Sequence, residues 1–136
     1  MAATAAVETS TPSGSETVLL VEDDVNVRML AREILQQHGY IVLEAEDAPD
    51  AIRIAGQHTG RIHLVITDIV MPKMNGHAVV QAIREHRPDA KVLYMSGYTD
   101  DAIVRHGVLE PGTPFLQKPF TPGTLARKVR QALGQA

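Results

Sequence analysis

There is no cysteine among the 136 residues of the chain. That excludes a disulfide framework, a thiolate nucleophile and a cysteine-ligated zinc site, and it fits a reducing compartment. No apolar run approaches the roughly 18 residues of a membrane span. The first residues offer neither the basic start nor the apolar core of a secretion signal, so a soluble cytoplasmic protein without membrane contact is expected. A basic excess is missing as well, since 13 Lys and Arg stand against 16 Asp and Glu for a formal net charge of −3. Nucleic acid is therefore not an expected partner. About 120 foldable residues suffice for one single-core domain, but not for that domain plus a separate effector module.

What is present divides at residue 17. Residues 1–16 are mostly Ala, Thr, Ser, Gly and Pro with a single Val, too little apolar surface to offset ordering entropy, and are expected to be a disordered tail or linker. Over 17–136, short apolar runs alternate with segments of helical period, the pattern of a parallel sheet with crossover helices. Strands are expected at Val18-Leu19-Leu20-Val21, Ile41-Val42-Leu43, Leu64-Val65-Ile66, Lys91-Val92-Leu93-Tyr94-Met95 and Phe115-Leu116. Such unbroken runs suit strands covered on both faces.

After the first strand, Val27, Leu30, Ala31, Ile34 and Leu35 recur at helical spacing, with Gly39 as the stop after His38. A second helix starts at Asp47 as N-cap and carries Ala51, Ile52 and Ala55, and a third carries Val79, Ala82 and Ile83. A short fourth helix is expected over residues 100–108, ended by a loop containing Pro111 and Pro114. The last helix has Thr121 as N-cap, Pro122 at its first position, and Leu125, Val129, Ala132 and Leu133 on one face. The result is β-α five times, a single-domain α/β sandwich whose ligands belong beyond the carboxyl ends of the strands.

Chemistry-bearing residues collect at those ends. The first strand runs into Glu22-Asp23-Asp24 and the third ends in Thr67-Asp68. Packed carboxylates coexist cheaply around a hard divalent cation with oxygen ligands, for which Mg²⁺ is the natural choice. The plainer account is that Glu22 to Asp24 end the strand and cap the next helix. The fourth strand ends in Ser96-Gly97 and the fifth in Lys118-Pro119, adding a hydroxyl and an ammonium at the same edge. A carboxylate can attack phosphorus, and phosphoryl transfer needs mainly positioning and charge neutralisation. Asp68 is the candidate nucleophile, with Asp23, Glu22, Lys118 and Ser96 placed to stabilise phosphoryl oxygens.

The motifs Val18-Leu19-Leu20-Val21-Glu22-Asp23-Asp24, Val65-Ile66-Thr67-Asp68-Ile69-Val70-Met71-Pro72-Lys73-Met74-Asn75-Gly76, Met95-Ser96-Gly97 and Phe115-Leu116-Gln117-Lys118-Pro119-Phe120 resemble the receiver domains of bacterial two-component response regulators. The resemblance runs from about Thr17 to Leu133. It implies a flavodoxin-like (βα)5 fold with strand order 2-1-3-4-5, the order of the chemotaxis receiver used as a standard example of such sheets. It further implies that Asp68 accepts a phosphoryl group from a phosphohistidine, on a histidine kinase or a histidine phosphotransfer domain. Metal ligands would be Glu22, Asp23, Asp68 and the backbone carbonyl of Val70, while Asp24 is ranked as a helix cap. Ser96 is implied as the switch hydroxyl, Lys118 as the phosphate-pairing lysine and Phe115 as the aromatic whose rotamer follows phosphorylation. A cis bond between Lys118 and Pro119 is expected, and Gly76 would let the loop after Asp68 turn. Receivers promote their own phosphorylation and hydrolysis without being enzymes in their own right.

The Pro-Gly-Thr-Pro stretch before the fifth strand and Ser96-Gly97-Tyr98-Thr99-Asp100 look like receivers of hybrid sensor kinases, with residues 1–16 as linker; a stand-alone regulator is the other form. Homodimerisation is expected to be weak at most. Output is expected through protein contact, and kinase docking through the first helix near Asn26 and Met29 and the loop after Lys118. Alternatives fare worse. Dehalogenase-like phosphatases place their nucleophile after the first strand in an Asp-x-Asp pattern, which Glu22-Asp23-Asp24 does not match. A flavin binder would need a Ser/Thr-rich phosphate loop after the first strand, and a docking-only pseudo-receiver is not favoured when every site residue is present. The six histidines show no paired helical spacing of a zinc site, and His38 suits a helix C-terminus.

Overall fold

Apolar runs at the expected positions build the sheet in the computed structural model, which describes residues 14–69, 76–97 and 113–134. The strands are β1 (Thr17–Val21), β2 (Ile41–Ala45), β3 (Leu64–Asp68), β4 (Lys91–Ser96) and β5 (Phe115–Gln117). They pair in parallel in the order β2-β1-β3-β4-β5, the arrangement implied by the resemblance. The described helices are α1 (Val25–Gln37), α2 (Ala48–Gln57), α3 (Gly76–His86) and α4 (Pro122–Ala132). The expected helix at 100–108 and the loop to residue 112 lie outside the described residues.

Period-two alternation sends neighbouring strand residues to opposite faces. Val18, Leu20, Leu64, Ile66, Leu93 and Met95 pack with Ala31, Ile34 and Leu35 of α1 and Leu125 and Val129 of α4. On the other face, Leu19, Val21 and Val65 meet Ala51 and Ala55 of α2 and Val79 and Ile83 of α3. A smaller cluster under β4 and β5 holds Ile69, Val80, Tyr94 and Phe115.

The helix boundaries follow their punctuation. Asp24 caps α1 by accepting from the amides of Asn26 and Val27, Asp47 caps α2, and Thr121 caps α4 ahead of Pro122. At the end of α1, Gly39 adopts φ 95°. Its amide bonds the Gln36 carbonyl while the Tyr40 amide bonds that of Leu35, a Schellman closure. The Arg87 guanidinium satisfies carbonyls at the end of α2 by donating to Ala55, His58 and Gly60.

One expectation changes. Residues 14–16, assigned to the tail on composition, are built into the fold. The Gly14 amide donates to the His38 carbonyl, the Glu16 carbonyl accepts from the Ile41 amide, and the Glu16 carboxylate pairs with Arg130 of α4 at 2.6 Å. The chain enters β1 past the end of α1, where those carbonyl, amide and guanidinium groups hold it despite its polar composition.

Candidate functional site

Parallel pairing brings every strand's carboxyl end to one edge, so residues far apart in sequence become neighbours. Asp68 stands opposite Met95, and Ser96 opposite Gln117, in the register of β3, β4 and β5. The turn after β1 supplies Glu22, Asp23 and Asp24. These acids, Asp68, Ser96, Gly97 and Lys118 line a cavity of about 300 Å³.

Glu22 is 1% exposed and Asp68 5% exposed, whereas Asp23 faces solvent. One carboxylate oxygen from each of Glu22, Asp23 and Asp68 lies within 4.8 Å of the others. Three converging oxygen donors, two of them buried, match the preference of a small hard cation that retains several waters. Mg²⁺ fits this donor set. Val70, the expected carbonyl ligand, lies outside the described residues.

The Lys118 Nζ bridges the two buried acids at 2.7 Å to Glu22 Oε1 and 2.7 Å to Asp68 Oδ1. Burial raises the Glu22 pKa, helped by its contact with Asp68 and opposed by Lys118. For Lys118, burial works against the ammonium but is outweighed by Asp68 and Glu22, so its pKa is raised. The ammonium is therefore charged across the physiological range. The Lys118 amide donates to the Ser96 carbonyl at 2.8 Å, which ties the lysine to the end of β4, and the bond to Pro119 is cis. The cis bond agrees with the sequence reading.

Ser96 is buried at the cavity wall. Among the described residues, a Cβ added at Gly97 would meet nothing within 4 Å. Phe115 is buried against Ile69, Val80 and Tyr94, linking it to the residue that follows Asp68. Asp24 is the cap that the sequence suggested, but Glu22 is not; its carboxylate turns inward to accept from the Asp24 amide and from Lys118. Asn26 and Met29 lie exposed on α1, beside the exposed Val25 and Leu30. Among the described residues, His38 Nδ1 bonds the Ile34 carbonyl and His63 Nδ1 accepts from the Thr17 amide, and neither joins a metal-binding group.

The sequence reading missed Arg28, whose Nη1 donates to the Glu22 carbonyl at 2.7 Å and whose Nε lies 3.5 Å from Glu44 of β2. The available signal was its place one helical turn after the Asp24 cap, which returns its side chain toward the acidic turn.

Residues 18–130 match the response regulator receiver domain family, and the chain belongs to it. It is a receiver domain of the two-component type, with similarity to receivers carried by hybrid kinases. The chain is 41% identical over 121 residues to the sensor kinase CckA of Brucella abortus (strain 2308), covering 89% of this chain and 13% of that kinase. The crystal structure of the receiver domain from hybrid histidine kinase CckA matches with a TM-score of 0.72 and 38% identity, over 86% of this chain and 98% of that one. The response regulator TrrA of Thermotoga maritima, solved in complex with Mg²⁺-BeF, matches with a TM-score of 0.70 and 30% identity, over 86% and 98% of the two chains. No helix among the described residues is long and apolar enough to cross a membrane.

Proposed function

We propose that this domain accepts a phosphoryl group on Asp68 from a phosphohistidine of a histidine kinase or histidine phosphotransfer domain, and switches conformation in response. The observation that carries the reading is the convergence of Glu22, Asp23 and Asp68 on one point with Lys118 Nζ 2.7 Å from Asp68 Oδ1. In the transfer, an Asp68 oxygen forms a bond to phosphorus as the P–N bond to the donor imidazole breaks and its electron pair returns to the ring. Mg²⁺ would be held by Glu22, Asp23 and Asp68, with the Val70 carbonyl as the further ligand that the resemblance implies, and would supply charge neutralisation. Lys118 moves from carboxylate to phosphoryl oxygen, and Ser96 hydrogen-bonds another. Hydrolysis uses the same stabilised geometry with water as acceptor, so the domain promotes both steps without being an enzyme in its own right.

A phosphoryl group of about −2 charge draws Ser96 toward it, and the packing of Phe115 against Ile69, Val80 and Tyr94 supports rearrangement of that cluster in step. The exposed surface of α1 around Asn26 and Met29, with the loop after Lys118, suits docking of the donor. Output passes by protein contact in the cytoplasm, with homodimerisation weak at most. The parent is a hybrid sensor kinase or a single-domain regulator. Asp68→Asn is expected to abolish incorporation of acid-labile phosphate and the Mg²⁺-dependent amide shifts that beryllofluoride produces at Ser96 and Lys118. Retained acid-labile phosphate in that variant would remove Asp68 from its role.

A further inference from the structure

We propose that Arg28 is a positioning residue for the divalent-cation site, fixing the main chain of the Glu22-Asp23-Asp24 turn while Glu44 of β2 aims its guanidinium. The proposal rests on the reading of Glu22, Asp23 and Asp68 as Mg²⁺ ligands. The Glu22 carbonyl belongs to the peptide plane that joins Glu22 to Asp23. An oxygen held at 2.7 Å by Arg28 Nη1 keeps that plane from rotating. Asp23 is exposed, so the direction of its carboxylate depends on the main chain that carries it. Glu22 is already restrained through its amide to the Ala45 carbonyl, and through its carboxylate to the Asp24 amide and Lys118. Arg28 restrains the remaining polar atom of the residue.

The guanidinium is itself held. Its Nε lies 3.5 Å from Glu44 Oε1, and Glu44 Oε2 accepts from Arg32 Nη1 at 3.0 Å. The Arg28 side chain is 15% exposed, and its amide bonds the Asp24 carbonyl within the first turn of α1. The turn bearing two metal ligands is thus tied to both the helix that follows it and the neighbouring edge strand. A lysine cannot reproduce this, because one ammonium lacks the planar donors that reach a carbonyl and a carboxylate together.

Electrostatics alone predicts the opposite sign from positioning, which makes the test decisive. Removing a cation near a cation site should tighten Mg²⁺ binding through space. Loss of orientation should weaken it, by about tenfold on the scale typical of groups that orient metal ligands. Mg²⁺ affinity is measured by amide shift titration of Glu22, Asp23 and Asp68 in wild type, Arg28→Gln and Arg28→Lys, with thermal melting without metal recorded alongside. Weaker binding in both variants with melting little changed is the expected result. Unchanged or tighter binding in Arg28→Gln overturns the proposal, as does full rescue by Arg28→Lys. Should Arg28→Gln not fold, Arg28→Lys decides, because it keeps the charge and loses the paired planar donors, with weaker binding in support and unchanged binding against. If wild type shows no saturable Mg²⁺ shift, the metal-site reading fails and takes this inference with it. Wild-type binding with an indifferent Arg28→Gln removes the inference alone.

Discussion

Lys118 donates to Glu22 and Asp68 at once, so two buried carboxylates share one ammonium. That sharing has a consequence for stability. In the absence of Mg²⁺, Lys118→Met should destabilise the domain by about 2 kcal/mol, because it strands two buried acceptors that had charged donors. The same variant should gain more from Mg²⁺ than wild type does, since the metal then meets no competing ammonium. Urea denaturation with and without Mg²⁺ checks both, and equal metal stabilisation of the two proteins would count against the shared-ammonium picture. The identities of Glu22, Asp23, Asp68, Ser96 and Lys118 were legible in the sequence because each follows an apolar run that could only be a buried strand. Parallel pairing then forces their convergence. Arg28 and Glu44 were not legible as a pair, because their meeting depends on the rotation of α1 over the sheet, which the apolar spacing fixes only coarsely.

Among the elements, the segment before β1 departs most from its composition. Polar residues of residues 14–16 gave no local reason for order. Glu16 and Arg130 lie 114 positions apart, beyond the reach of any helical or strand period. What secures the segment is tertiary: Arg130 Nη1 also lies 3.4 Å from the Tyr40 hydroxyl, and a Cβ at Gly39 would come within 2.3 Å of the Gly14 carbonyl. Gly39 was legible as a helix stop, but not as the gap through which the entering chain passes. The Arg130 guanidinium lowers the Glu16 pKa from 4.5 to about 2. A folded-state pKa below the unfolded one means the pair's contribution is complete above pH 4.5 and disappears as the pH falls through about 2. The carboxylate is partly solvated, so the contribution is about 1 kcal/mol. Glu16→Gln should therefore be less stable than wild type at neutral pH, with the difference closing between those two pH values. A difference that persists at the acid end would assign the effect to packing instead.

Taken as one body, the molecule keeps its chemistry and its entry clamp at opposite ends of the sheet. At about 3.3 Å per residue, the chain from Glu16 to Glu22 spans about 20 Å. The intervening β1 residues are buried on both faces, Val18 and Leu20 toward α1 and α4, Leu19 and Val21 toward α2 and α3. Close-packed side chains of this kind can carry strain, yet sites so far apart with no shared partner usually contribute independently to stability. Mg²⁺ at tenfold excess over its Kd should stabilise the fold by about 1.4 kcal/mol through mass action. Because, among the described residues, Glu16 shares no partner with Glu22, Asp23 or Asp68, the loss from Glu16→Gln and the gain from Mg²⁺ should add to within about 0.5 kcal/mol. Denaturation of wild type and Glu16→Gln, each with and without Mg²⁺, closes the cycle. A coupling well beyond that margin would mean that β1 transmits the state of the acidic site to the clamp, so that occupancy of the site would alter the hold on the segment leading into the domain.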